Sequence, residues 1–182
     1  MTRRFVPCAA GAAALVASIA LAKNPTVGGK EMFPTKNIIE NAVNSADHTT
    51  LVAAVKAAGL VDTLEGPGPF TVLAPVNAAF DKLSAGTVDT LLKPENKGTL
   101  TKVLTYQVIA GRLSAADLMK QIRIGGGTAE LKTVSGGSLW VMMNGKSIAV
   151  KDEKGGVAMI TQSDVFQSNG VIHVLDSVLM PN

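Results

Sequence analysis

Few residues in this chain could carry out chemistry. The 182-residue sequence has two histidines, His48 and His173, and one cysteine, Cys8. A transition-metal site or a nucleophile–base pair needs several partners of suitable type brought together. The histidines stand far apart, and Cys8 precedes a long apolar run. These residue types therefore indicate neither a transition-metal site nor a catalytic centre.

Sequence motifs for hydrolysis and nucleotide binding are also missing. No G-x-S-x-G nucleophile elbow occurs. The glycine runs at 125–127 and 136–137 do not belong to a phosphate-binding loop, because no G-x-x-x-x-G-K-[ST] or G-x-G-x-x-G pattern follows a strand and opens a helix. The adjacent acids Asp152 and Glu153 are flanked by lysines, which is typical of a solvated turn. We predict no enzyme activity, no cofactor and no bound metal.

The two histidines differ in sequence context. His48 lies where a helix begins, and we predict that it is exposed there. His173 lies inside an apolar strand, where it could be a ligand, a proton switch or a core residue that holds nearby loops by hydrogen bonds. The core interpretation is favoured, because metal binding or catalysis would need partners that the sequence lacks.

Residues 1–22 have the features of an export signal. An arginine pair near the start precedes a charge-free, alanine-rich run over 9–21, and a small-x-small site ends at Ala22. We predict cleavage near Ala22-Lys23 and a secreted or periplasmic protein without a transmembrane anchor. The choice between Sec and twin-arginine export stays open.

Cleavage at this point changes the charge of the protein. It removes both leader arginines and the cysteine, leaving 15 basic residues (17 minus 2) against 14 acidic ones, a net charge of +1. Such a balance argues against nucleic acid or a strongly anionic membrane as a partner. The alanine-rich leader and the lack of an Asn-x-Ser/Thr sequon favour a bacterial source.

The remaining chain changes character along its length. Residues 23–36 contain proline and glycine without a period and are predicted to form a flexible linker. The first half then favours helices, and the second half favours strands separated by glycines, with a hairpin at Asn144-Gly145. The predicted helices cover 37–44, 49–58, 77–83, 87–92, 94–104 and 114–124, and the predicted strands cover 70–74, 106–109, 128–134, 139–143, 146–151, 157–161 and 171–179.

Two segments carry a family resemblance. Residues 69–83 (PFTVLAPVNAAFDKL) resemble the first signature motif of fasciclin-type (FAS1) domains, and residues 168–181 (SNGVIHVLDSVLMP) resemble the second. They occur in the family's order and about a domain length apart. The resemblance extends over 37–181 and implies an α+β fold, an antiparallel β-wedge with packed N-terminal helices. It assigns mainly structural roles to the motif residues Thr71, Ala74, Pro75, Asn77, Phe80, Asn169, Gly170, His173 and Asp176.

The chain departs from the family pattern in ways that bear on binding. Val76 replaces a hydroxyl residue that would cap the next helix, a loss of about 1 kcal/mol unless Asn77 takes over. The family's Tyr-His pair appears as Tyr106-Gln107. Asp164-Val165 falls where some adhesive members carry an Asp-Ile pair implicated in integrin recognition. The resemblance thus suggests partner contacts at Tyr106, Asp164 and Val165.

The resemblance implies a binding module rather than an enzyme. We predict a single exported domain that mediates adhesion or protein interaction, with a cell-surface or matrix protein or a polysaccharide as partner. The alternative is a soluble carrier of an apolar small molecule, a pigment or lipid. That alternative rests on a soft apolar set that is also consistent with ordinary core filling: Met119, Trp140, Met142, Met143, Met159 and Phe166.

Overall fold

The computed structural model describes residues 24–84 and 86–182, so the predicted export signal lies outside the described residues. The fold is α+β, as predicted. The strands are β1 (Thr26–Val27), β2 (Lys30–Glu31), β3 (Phe70–Pro75), β4 (Val108–Ala110), β5 (Thr128–Lys132), β6 (Ser138–Asn144), β7 (Ser147–Lys151), β8 (Val157–Gln167) and β9 (Gly170–Leu175). The α-helices are α1 (Ile38–Asn44), α2 (Thr49–Ala58), α3 (Val61–Glu65), α4 (Asn77–Asp81), α5 (Thr87–Leu92), α6 (Lys97–Tyr106) and α7 (Ala115–Ile124), with short 3₁₀ turns at Ala46–His48 and Pro94–Asn96.

Seven strands form one twisted sheet in the order β4-β3-β9-β8-β7-β6-β5. Every neighbouring pair is antiparallel except β3 and β9, which are parallel. An isolated bridge between Ile109 and Thr133 brings the two edges of the sheet together. The sheet is therefore a nearly closed wedge, with the helices packed against it.

The two signature segments are neighbours at the centre of this sheet. β3 and β9 pair in register from Phe70 opposite Gly170 to Pro75 opposite Leu175. Gly170 is required at this seam, because a Cβ atom there would lie 2.1 Å from the Phe70 carbonyl oxygen. The two motifs are therefore adjacent in the fold.

The parallel pair separates two buried clusters. Successive side chains of a strand point to opposite faces of the sheet. Val72 and Ala74 of β3 therefore face a cluster formed with α1, α2 and α6, which we call the helical cluster. Leu73 faces a cluster formed with α7 and β5 to β8, which we call the meander cluster. Because both faces of β3 are covered, its sequence is continuously apolar rather than alternating.

The segment before α1 packs against the domain. Its two short strands form a hairpin through Gly28 and Gly29, which have φ angles of 60° and 73°. Val27 and Met32 are buried in the helical cluster. Val27 and Met32 thus fix this segment to the domain at two positions, and the flexible linker over 23–36 stays a prediction. Strands of two residues are too short to show a period in the sequence.

Several elements differ from the prediction. The short helix α3 was not predicted. Tyr106 is the last residue of α6, not the first of a strand. β8 continues beyond Thr161 to Gln167, where register shifts near Gln162 interrupt the alternation that would reveal it.

Candidate functional site

Tyr106 lies entirely in the interior. Its side chain is 0% exposed in the meander cluster. Its hydroxyl donates a hydrogen bond to the Ser138 carbonyl (2.6 Å) and accepts one from the Glu153 N–H (3.1 Å). Burial is the main cause that raises the pKa of Tyr106 to about 12. Tyr106 therefore links α6 to the start of β6 and to the loop after β7, and it presents no surface for the predicted partner contact.

The other two predicted contact residues, Asp164 and Val165, differ in burial. Val165 is 1% exposed, whereas Asp164 is half-buried. Asp164 has a φ angle of 58°, which is uncommon for a residue other than glycine. Its Oδ1 accepts a hydrogen bond from the Ala115 N–H (2.7 Å), the first residue of α7. Of this pair only Asp164 reaches the surface, and its carboxylate already stabilises the start of a helix.

His173 connects two loops from within the sheet. Its Nε2 donates a hydrogen bond to the Leu113 carbonyl (2.8 Å), so its Nδ1 is free to accept one from the Asp164 N–H (3.4 Å). Burial lowers the pKa of His173, and the Leu113 carbonyl and Asp164 carboxylate oppose this only in part. The ring is therefore a neutral core histidine.

Two asparagines of the motifs join segments that are distant in sequence. Asn169 accepts a hydrogen bond from the Ile38 N–H (3.0 Å) and donates one to the Leu64 carbonyl (2.6 Å). Asn77 accepts one from the Thr50 N–H (3.1 Å), in the first turn of α2. Asn77 thus caps a neighbouring helix, while Val76 leaves its own helix α4 without a side-chain cap.

The other motif residues also hold the fold together. Thr71 donates a hydrogen bond to the Gly111 carbonyl (2.7 Å), and Asp176 accepts one from the Met159 N–H (2.8 Å). Asp176 also lies 3.7 Å from the Lys82 ammonium. The remaining motif side chains are buried, namely Ala74, Pro75 and Phe80.

Two exposed aromatic rings each have a cation beside them. Phe166 is 39% exposed and has the Arg112 guanidinium 5.1 Å from its ring centre. Phe33 is 38% exposed and has the Lys36 ammonium 5.4 Å from its ring centre. Among residues 24–84 and 86–182, neither cation forms an ion pair. We call these four residues the aromatic–cation surface.

Hydrogen bonds hold both aromatic–cation pairs near the same turn. Arg112 donates to the Gln167 carbonyl (3.2 Å), and the Ser168 N–H donates to the Lys36 carbonyl (2.9 Å). A shallow groove of about 350 Å³ adjoins Arg112, between residues 67–69 and 168–170. No sequence pattern indicates this surface, because its members come from separate segments.

A small cavity lies inside the helical cluster, next to β3. It has a volume of about 40 Å³, and its wall is aliphatic except for Ser45, His48 and Gln107. His48 is 3% exposed, so the predicted exposure is wrong. The reason is that the 3₁₀ turn before α2 directs the ring inward, where its Nδ1 lies 2.9 Å from the Ser45 hydroxyl.

Polar atoms remain without partners at this cavity. The His48 Nε2 and both polar atoms of the Gln107 side chain form no hydrogen bond with the described part of the chain. Burial lowers the pKa of His48, which the nearby Ala74 carbonyl and the Asp47 carboxylate oppose in part. The replacement of the family's histidine by Gln107 was the one sequence signal that pointed here.

The soft apolar set of the sequence does not converge on a closed pocket. Trp140 and Met142 line an open groove of about 520 Å³ beside the Asp152–Gly155 loop, and Met143 is 41% exposed at the end of β6. The closed cavity, at about 40 Å³, is far smaller than the roughly 150 Å³ that holds benzene. Neither place encloses a pigment or lipid in this conformation.

Two general features complete the description. Within the part of the chain that the structure describes, no three metal-binding side chains come together. Across the same residues, no helix combines the length and apolar character needed to cross a membrane.

Comparison with known proteins gives concordant results. The Fasciclin domain family matches residues 46–181. Protein sll1483 of Synechocystis is 45% identical over 79% of this chain and 73% of its own length. Immunogenic protein MPB70 of Mycobacterium bovis is 38% identical over 88% of this chain and 77% of its own.

A solved structure shares the fold. A FAS1 domain pair from the insect cell adhesion molecule fasciclin I superposes with a TM-score of 0.57 at 24% identity over 71% of this chain. The present chain covers 43% of that two-domain chain. On the extent of the family match and the pairing of the two motif strands, this chain belongs to the fasciclin domain family.

Proposed function

We propose that this protein is an exported fasciclin domain that mediates adhesion by binding a cell-surface or matrix partner, a protein or polysaccharide. The aromatic–cation surface is the contact region. The observation that carries the proposal is the pair of exposed phenylalanine rings near the turn after β8, each beside a cation that forms no ion pair with the described residues. Aromatic residues and arginine are enriched where proteins bind each other.

The charges of this surface indicate what the partner carries. Arg112 uses one hydrogen bond within the chain, and its guanidinium has further donors in a planar fork that matches a carboxylate. The adjoining groove gives an extended chain room beside Arg112. The partner therefore presents acidic groups next to an apolar or sugar-ring face.

Asp164 belongs to the same region but acts differently. It lies two residues before Phe166, and its carboxylate accepts the Ala115 N–H. We propose that Asp164 positions this end of β8 for the partner. Its substitution by alanine would remove a helix-capping acceptor, so a test of its charge alone needs Asp164→Asn, which keeps the acceptor and tolerates a positive φ.

The test is an attachment assay with beads that carry the purified protein. Beads would be applied to host cells and to plates coated with collagen or with alginate, an acidic polysaccharide. The double variant Arg112→Ala/Phe166→Ala is expected to weaken attachment about 30-fold, the effect of losing a contact worth roughly 2 kcal/mol. The stronger of the two plate signals assigns the partner class.

The control is Ile124→Ala. Ile124 is 78% exposed at the end of α7 and does not belong to the aromatic–cation surface. Attachment by this variant should equal that of the unmodified protein. If the double variant attaches as well as the control while both keep the same melting temperature, the aromatic–cation surface is not the contact region.

A further inference from the structure

The small cavity of the helical cluster has the properties of a binding site. It holds about 40 Å³, and a water-sized atom needs roughly 10–15 Å³ by the same measure, so about three such atoms fit. Helices α1 and α2, strands β3 and β9 and the N-terminal hairpin all contribute to its wall. Most of that wall is aliphatic, which favours an apolar body.

The polar atoms in the wall give the site its chemistry. The Gln107 side chain is 2% exposed, and neither its amide N–H₂ nor its carbonyl oxygen has a partner in the described chain. Buried polar groups in folded proteins are nearly always hydrogen-bonded. A buried carboxamide with both ends unsatisfied therefore points to a ligand that can accept and donate together. The His48 Nε2, near the Ala74 carbonyl but without a hydrogen bond to the described chain, lines the same cavity.

The charge of the wall selects among such ligands. No lysine or arginine lines the cavity, so an anionic group would find no counter-charge there. Burial keeps the His48 imidazole neutral by lowering its pKa. A charged ammonium would likewise lack an acidic partner, since no aspartate or glutamate lines the wall. The site suits a neutral molecule.

We propose that this cavity binds a small neutral amphiphile, an aliphatic chain of two or three carbons that ends in a hydroxyl group. The hydroxyl donates to the Gln107 carbonyl oxygen and accepts from the Gln107 amide or the His48 ring. The chain lies among the aliphatic side chains of β3, β9 and α2. This inference does not depend on the proposed adhesion function, since the cavity is internal and the aromatic–cation surface is external.

The N-terminal hairpin limits the length of the ligand. Met32 belongs to this hairpin, is 2% exposed and lines the cavity. Its unbranched side chain is the most adaptable part of the wall. Met32→Ala removes three heavy atoms beyond Cβ, and the site should then take a chain longer by about three atoms.

The test is an NMR titration of the ¹⁵N-labelled protein with the straight-chain alcohols from methanol to 1-hexanol. We expect a saturable shift of the Gln107 side-chain amide signals with ethanol and 1-propanol. Nuclear Overhauser contacts should join the alcohol methyl group to Ile172. The effect should disappear near 1-pentanol, and in Met32→Ala the limit should move to longer chains.

Gln107→Leu is the matched variant, because it keeps the side-chain size and removes both polar atoms. It should fold and lose the saturable contacts between 1-propanol and Ile172. Equal contacts in this variant would overturn the assigned role of Gln107, and shifts without a length limit would show general solvent action instead. A long-lived water signal on Gln107 that alcohols do not displace would mean that the cavity holds water only. If Met32→Ala does not fold, the proposal is tested by the longest alcohol that still binds the unmodified protein.

Discussion

Tyr106 and Gln107 are adjacent at the end of α6, yet they enter opposite buried clusters. Tyr106 points into the meander cluster, where its hydroxyl both donates and accepts a hydrogen bond. Gln107 lines the cavity of the helical cluster, and its side-chain polar atoms have no partner in the described chain. Both residues are almost fully buried, at 0% and 2% exposure.

The contrast separates two uses of a buried polar group. A satisfied group joins elements and adds to stability, because folding exchanges its water contacts for protein contacts. An unsatisfied group lowers stability by its desolvation, and it gives a neighbouring cavity the ability to bind a polar molecule. The meander cluster is accordingly the structural side of this domain, and the helical cluster carries the candidate ligand site.

The largest expected effect is on Tyr106. Tyr106→Ala should lower the free energy of unfolding by about 3–5 kcal/mol, because it opens a cavity in the meander cluster. Tyr106→Phe should lower it by about 1–3 kcal/mol, since the Ser138 carbonyl and Glu153 N–H lose their partner. Urea unfolding measures both. A Tyr106→Phe variant as stable as the unmodified protein would show that the hydroxyl is not structural.

The two clusters can also be compared through their histidines. His48 faces the helical cluster, His173 lies at the β8–β9 side, and burial lowers the pKa of both below the usual 6.5. Below about pH 6.5 the unfolded chain therefore binds more protons than the folded one, and stability falls as the pH falls. The loss can reach about 1.4 kcal/mol per pH unit for each histidine.

Urea unfolding at pH 7.5 and 5.5 measures this loss. His48→Asn should remove the contribution of His48 to the pH dependence of stability and leave that of His173. Stability that rises between pH 7.5 and 5.5 would contradict neutral, buried imidazoles.

A smaller effect is expected at Asn77, a satisfied polar residue on the helical side. Asn77→Ala should lower the free energy of unfolding by about 1 kcal/mol, because the Thr50 N–H in the first turn of α2 loses its cap. Hydrogen exchange should show faster opening of α2 and little change in α4. If α4 opens instead, Asn77 serves its own helix.

The smallest change is expected at Gln107, and it has the opposite sign. Gln107→Leu should raise the free energy of unfolding by about 1 kcal/mol, because a desolvated carboxamide is replaced by an apolar group of similar size. Thermal melting without added alcohol measures it. A clear loss of stability would mean that Gln107 has partners, and it would remove the contrast with Tyr106.

Local patterns predicted local structure well. Ser114 and Asp117 form a capping box at the start of α7, where the predicted helix 114–124 begins. Gly59, with a φ angle of 72°, ends α2 directly after the predicted helix 49–58. Asn144-Gly145 makes the β6–β7 hairpin. In each case a few consecutive residues supply both partners of the interaction, so the sequence contains the whole reason for the structure.

The candidate contact residues were less predictable. Tyr106 and Val165 were carried over from a resemblance, and the fold buries both. The aromatic–cation surface combines residues near positions 33, 112 and 166, and no pattern in the sequence joins them. The burial of a side chain depends on which distant elements pack against it, and the neighbouring residues in the sequence do not determine that.

The sequence by itself determined the family, the central motif strands and most helix boundaries, because turn chemistry, capping and apolar periodicity act within about ten residues. The tertiary structure alone decided that Asn77 caps α2, that Val27 and Met32 enter the helical cluster and that the Gln107 side chain faces a cavity without a partner in the described chain. Those outcomes join segments that are distant in the sequence. They arise from the packing of whole elements against the β3–β9 seam, which no local stretch of the chain contains.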